Sequence, residues 1–242
     1  MSLKRNSTTA KVGIDLFSIQ VKWALWFIGI VFVVYLVLPI FITNVEEFKM
    51  HFLTFSFQPA KIFMLIIGIL SCFSFLGYFV GNGITRKDYF LGSAAAAFGV
   101  AFVIMLLANV LQGLLQFVGM FTPYLPSTNH GDSWNMGSVW IVPFVAYTMT
   151  IVVYYLAGWL ISIGFYRYGG IGGTLCIIGA IIYVGVTDLG SNGDRSLTLF
   201  GFIKIPYPDL GLPLAMVVTA VLIVVGLWLL RQLTKRVPIK LD

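Results

Sequence analysis

Six apolar runs dominate the chain: Trp23–Ile42, Ile62–Val80, Leu91–Val118, Val139–Phe165, Ile171–Thr187 and Leu212–Leu230. None contains Asp, Glu, Lys or Arg. A charge at the centre of a bilayer costs about 2.5–3.5 kcal/mol on insertion scales, so such clean runs mark segments that lie in hydrocarbon. A helix needs about 20 residues to cross a core about 30 Å thick, and most of the runs approach that length. Helix also satisfies each backbone group within its own segment. Barrel strands would alternate apolar and polar positions, and these runs do not. The pattern predicts an all-α membrane protein, a single transmembrane domain over residues 1–242 with six transmembrane helices. The third and fourth runs are long enough to extend past the bilayer. The fifth begins among Gly169, Gly170, Gly172 and Gly173.

The polar segments add detail. Before the first run, Lys11, Asp15, Ser18 and Lys22 recur at helical spacing, and Val12, Leu16 and Ile19 follow one position later. This periodicity predicts an amphipathic helix over residues 8–22. With basic residues on its polar face it would lie along the lipid interface. The competing reading is a plain extension of the first span. No small-residue cleavage site follows, so the first run is expected to be a retained span. His51–Phe57 and Ser196–Ile205 are rich in β-branched and aromatic residues, which makes them candidates for short β segments in the outer loops. Loosely ordered loops are the equal alternative.

Composition excludes a soluble domain. Charged residues are 10% of the chain and mean hydropathy is +0.96, against about 25% charged in soluble proteins. The net charge of +6 matters through its distribution. Six spans place both termini on one side, and eleven of the fifteen Lys and Arg fall on that side. The positive-inside rule then puts both termini in the cytoplasm, and the expected location is a bacterial plasma membrane, crossed in multiple passes. The basic charge is thus no sign of nucleic acid. Cys72 and Cys176 both lie in apolar stretches and read as packing residues.

Few residues offer chemistry. The cluster Gly169-Gly170-Ile171-Gly172-Gly173-Thr174 lacks the lysine of a phosphate-binding loop. It reads instead as close helix packing, with Gly172, Cys176 and Ala180 in a small-residue stripe. Gly77 and Gly81 form a second such pattern. His51 and His130 fall in outer loops, as do Glu46 and Glu47, and nothing in their spacing is catalytic or holds a metal. Asn109, Gln112 and Gln116 share one face of the third span. Amides in hydrocarbon need partners. That face therefore either bonds to another helix or lines a substrate path.

The segment between the second and third runs is the most distinctive. Gly81 and Gly83 break the second span, Thr85 suits an N-cap, and Arg86, Lys87, Asp88, Tyr89 and Phe90 are expected to form a short helix across the membrane surface. From Asn82 to Gly92 the chain reads Asn-Gly-Ile-Thr-Arg-Lys-Asp-Tyr-Phe-Leu-Gly. This resembles the segment Asn-Gly-(Val/Ile)-(Ser/Thr)-Arg-Lys-x-(Tyr/Phe)-Phe-x-Gly in the permease subunits of six-helix ABC exporters of the drug, peptide or polysaccharide type. In that family the segment is a coupling helix that docks into a separate ATPase. The N-terminal amphipathic helix is similar to the family's elbow helix. A re-entrant helical pair often precedes the last span of the family, whereas Asp188–Gly211 reads as a hairpin or loop.

The resemblance implies ATPase coupling through Asn82, Gly83, Ile84, Thr85, Arg86, Lys87, Asp88, Tyr89 and Phe90. It implies a transport subunit with no enzymatic activity and no cofactor of its own. ATP and Mg would sit on partner ABC ATPase subunits, and a second permease subunit, identical or homologous, would complete the pathway in the lipid. The implied cargo is amphipathic peptides, antibiotics or lipids. The alternative from another class is a non-transporting immunity or sensor protein that binds a peptide at its outer loops.

Overall fold

The computed structural model describes residues 2–41, 51–119, 141–191, 196–199, 203–206 and 212–235. Its helices are α1 (Ser2–Phe41), α2 (Phe52–Leu70), α3 (Gly77–Gly81), α4 (Arg86–Gly119), α5 (Ile141–Ser191) and α6 (Leu212–Thr234). A π-helical turn, Ser71–Leu76, joins α2 to α3. An antiparallel hairpin pairs β1 (Ser196–Leu199) with β2 (Ile203–Pro206), with Ser196 opposite Pro206.

Among the described residues, five helical stretches are long and apolar enough to cross a membrane: Thr8–Pro39, Phe52–Gly81, Arg86–Val118, Phe144–Asp188 and Pro213–Thr234. The chain is therefore membrane-embedded. Large apolar side chains such as Trp26, Ile30, Ile171 and Val224 lie on the outside of the bundle. In water that would be a liability, but in a bilayer it is the lipid-facing surface.

The count of five differs from the six runs because the fourth and fifth runs are the two arms of α5. Gly169 interrupts α5 with φ +72° and ψ −158°, a conformation that glycine reaches without a Cβ penalty. The chain doubles back there. Tyr154 donates to Asp188 at 2.6 Å across 34 residues, which in an unbroken helix would lie about 50 Å apart. The arms press together at glycines, one of them in the cluster the sequence singled out. A Cβ on Gly173 would sit 2.3 Å from the Phe165 ring, and one on Gly164 2.5 Å from Cys176 Sγ. The connection between the fourth and fifth runs is thus a reversal at a single residue.

Two further expectations change. Residues 8–22 form no separate interfacial helix, because α1 runs unbroken through them into the first span. Packing decides this: Val12 and Leu16 are buried, and Gly13 lies 3.5 Å from Gly92 of α4 by an added Cβ. Thr9 meets Asp88, Gly13 meets Gly92 and Phe17 meets Gly99, so α1 and α4 run parallel. Likewise, residues 52–57 are helical rather than strand, since α2 begins at Phe52. Its apolar side chains stack on neighbours, with Phe52 edge-on to Phe32 and Phe57 stacked on Tyr147 at 4.2 Å.

The tightest helix crossing is between α2 and α5. A Cβ on Gly68 would fall 2.1 Å from the Tyr155 carbonyl oxygen, and one on Gly158 2.1 Å from that of Leu65. Two glycines thus bring backbone against backbone, which packing in lipid favours. The Gly77 and Gly81 pattern does no such work within the chain, since a Cβ on either would meet nothing within 4 Å.

Candidate functional site

One end of the bundle gathers the Gly83 turn, the Gly169 reversal and the end of α6. After α3, Asn82 closes the helix and its Nδ2 donates to Tyr78 O at 2.7 Å. Gly83 takes φ +83°, which a side chain would strain. Ile84 N donates to Phe79 O at 3.0 Å. Thr85 caps α4: its Oγ1 accepts from Asp88 N at 3.1 Å and donates to Asp88 Oδ2 at 2.6 Å. This reciprocal pair satisfies a free N–H of the first turn and places a carboxylate at the positive end of the helix.

The expected short surface helix is absent as a separate element. Arg86 to Phe90 are the first turn of α4, and Asp88, Tyr89 and Phe90 are buried. The physical reason is Trp159 of α5, fully buried, which Tyr89 meets edge-on at 6.4 Å and Phe90 meets at 5.4 Å. Thr9 also donates to Asp88 Oδ1 at 2.7 Å. The corner thus shows Asn82, Gly83, Thr85 and Lys87 at the surface and anchors its other side chains in the core.

Two arginines bind this end together. Arg86 Nη1 donates to Lys235 O at 3.2 Å, and Arg167 Nη1 to Leu233 O at 3.3 Å. Both complement the carbonyls at the negative end of α6. Arg231 lies 5.5 Å from the Phe90 ring.

Just inside the corner lies a buried hydroxyl cluster built from four elements. Ser71 Oγ, in the π-helical turn, is 2.9 Å from Ser93 Oγ, 3.1 Å from Tyr89 Oη and 3.3 Å from Tyr155 Oη. The Tyr89 hydroxyl donates to the Ser71 carbonyl oxygen. Gln20 of α1 completes the group, its Nε2 donating to Tyr155 Oη at 3.4 Å. Among the described residues, Gln20 Oε1 is the buried side-chain polar atom with no hydrogen-bond partner. Such an atom costs about 1–3 kcal/mol. Isolated serines and tyrosines in apolar runs carry no sequence signal of this gathering, so sequence reasoning missed it.

At the opposite end, a second polar group was also missed. Lys61, expected just outside the second span, lies inside α2 and is buried. Its Nζ pairs with Asp188 Oδ1 at 2.8 Å and lies 4.5 Å from the Phe57 ring. Tyr154 donates to the other carboxylate oxygen. The charges were in plain view; what was missing was their pairing.

The three amides of α4 separate in role. Gln112 is buried, and its Oε1 accepts from Phe52 N at 2.6 Å while its Nε2 meets His51 Nδ1 at 3.2 Å. It caps α2, the interhelical bonding that was the competing reading. Asn109 donates to Met105 O within its own helix at 3.0 Å. Gln116 is half-buried. His130 and Asp132, and Glu46 with Glu47, lie outside the described residues.

No family profile, curated protein or solved structure matches the chain.

Proposed function

We propose that the chain is the permease subunit of an ATP-driven exporter. It forms half of a pathway for amphipathic peptides, antibiotics or lipids. A separate pair of ABC ATPase subunits supplies ATP and Mg chemistry, and a second permease subunit completes the path. In this reading the two arms of α5 each cross the bilayer, which makes six crossings. The end carrying Arg86, Lys87, Arg167, Arg231 and Lys235 faces the cytoplasm, as do both termini.

One observation supports the reading most. The exposed corner at residues 82–87 is rigidly continuous with the core through Asp88, Tyr89 and Phe90. A load applied to Asn82, Thr85 or Lys87 passes into α4 and, through Tyr89, into the π-helical turn. A motor docked below can therefore tilt helices as packed bodies. The resemblance over Asn82–Gly92 supports an ABC ATPase as that motor.

The test is copurification from native membranes in mild detergent. An ABC ATPase should accompany the chain, and Lys87→Glu should weaken that association at least tenfold without loss of membrane insertion. A chain that purifies alone while binding a peptide from the external medium would instead be the immunity or sensor protein.

A further inference from the structure

We infer that the lipid-facing strip of α6 ends in a site for the phosphate of an anionic phospholipid, held by Arg231 and Lys235 with Arg86 of α4 beside them. Neither a motor nor a second subunit is needed to form it.

The strip follows from spacing. Val217, Val221, Val224, Trp228, Arg231 and Lys235 lie alternately four and three residues apart, which puts them on one face of a helix. The first four are each more than half exposed, and in a bilayer they meet acyl chains. Arg231 stands in the last turn of α6, and Lys235 follows one turn later. Trp228 sits just before the cations, where an indole suits the headgroup level.

Tertiary packing adds a third cation. Arg86 Nη1 donates to Lys235 O at 3.2 Å. One turn further along α4, the Phe90 ring lies 5.5 Å from the Arg231 guanidinium. Arg86 is therefore level with Lys235, and Arg231 lies about 5 Å deeper along the antiparallel helices.

Arg231 is the residue that needs a partner. A guanidinium carries five N–H donors, and among the described residues its contact is the Phe90 ring. Lys235 Nζ reaches the uncharged Gln232 Oε1 at 3.4 Å. Among the described residues no ion pair joins Arg86, Arg231 or Lys235 to a carboxylate. Asp88, two residues after Arg86, is buried and bonded to Thr9 and Thr85 instead.

An arginine one turn inside a helix end, on an otherwise apolar face, is costly without a counter-charge. A phospholipid phosphate brings that charge from the lipid side and offers two oxygens to the guanidinium fork. Three cations with no carboxylate favour a lipid of net negative charge. A zwitterionic lipid would carry its own ammonium into the group.

Two other occupants fit less well. A second copy packed on this strip about a two-fold axis would set Arg231 and Lys235 against their own counterparts. A soluble partner beneath the membrane would reach Lys235 but not Trp228 and Val224, which lie deeper.

Native mass spectrometry of the chain in mild detergent, titrated with phosphatidylglycerol or phosphatidylcholine, tests this. The first phosphatidylglycerol should bind at least fivefold more tightly than the first phosphatidylcholine. Arg231→Gln should cut that preference by roughly fivefold, which is what one basic residue near an anionic surface contributes. Lys235→Gln, at an exposed position, should cut it at least twofold and reads the same site if Arg231→Gln does not fold. Lys11→Gln, exposed on α1, should leave it unchanged, and inorganic phosphate should not displace the lipid. Equal affinity for the two lipids overturns the site, and so does a preference that survives both α6 substitutions. Displacement by inorganic phosphate would assign the cations to a free anion. An Arg231→Gln chain that loses a dimer but keeps its lipid preference would assign the strip to a second copy, which also overturns the lipid site.

Discussion

Lys61 Nζ reaches Asp188 Oδ1 at 2.8 Å, although 127 residues separate the two. The pair ties α2 to the second arm of α5, and Tyr154 of the first arm holds the same carboxylate. Three helical arms thus meet at one ion pair, in which Lys61 is buried and Asp188 half-buried. Burying two charges is costly unless both are well bonded, and removing one partner of such a pair costs about 3–5 kcal/mol. Lys61→Met should therefore lower the melting temperature in detergent, and so should Asp188→Asn, which leaves the more deeply buried Lys61 charge without its carboxylate. The Lys61→Met/Asp188→Leu double variant should recover most of the loss. A double variant no more stable than Lys61→Met would show that the pair is not the source of the cost.

Gly158→Ala is expected to be among the most damaging single changes in the chain. Its methyl group would sit 2.1 Å from the Leu65 carbonyl oxygen, an atom that cannot rotate away. Overpacking typically costs about 1–3 kcal/mol, and a backbone clash belongs at the upper end. Gly77→Ala meets open space and should leave thermal stability unchanged within about 0.5 kcal/mol. The contrast between the two melting curves is the check.

Gln112 closes the start of α2 by accepting from Phe52 N. Gln112→Ala removes that acceptor, and losing a cap costs about 0.5–2 kcal/mol. Hydrogen exchange should report the loss at Phe52 to Phe55, at the beginning of α2, and leave the α5 arms protected. A substrate-path role for Gln112 would show instead as altered transport with normal protection at α2.

The proposed orientation has its own test. Lys87→Cys lies on the exposed corner, and Phe41→Cys lies at the far end of α1. In a Cys72→Ala/Cys176→Ala background, an impermeant maleimide added to intact cells should label the position at Phe41 and spare that at Lys87. Opening the cells should expose the second. The reversed pattern would place the basic end outside.

Much of the local structure was legible. The apolar runs located the long helices among the described residues, because burying an unpaired charge in hydrocarbon is costly whatever the neighbours are. Thr85 and Gly83 announced the corner, since capping and left-handed φ are local matters. The glycines around Gly169 were read as close packing, and the contacts of Gly172 and Gly173 bear that out, while the reversal at Gly169 came only from the structure. The interfacial helix at residues 8–22 was misjudged because its apolar stripe, Val12 and Leu16, suits either lipid or α4.

What the chain determined by itself, then, was which segments enter the membrane and where they cap and turn. Those outcomes follow from transfer energies and backbone sterics that act within a few residues. Which faces meet was settled only by the tertiary packing. Lys61 with Asp188, Gly68 against Tyr155, Gly158 against Leu65, and Gln20 beside Ser71, Ser93 and Tyr155 all depend on crossings between distant segments. Apolar runs look alike to hydropathy, because lipid and a neighbouring helix are equally dry. The partner of each polar side chain is therefore decided by the packing of the bundle.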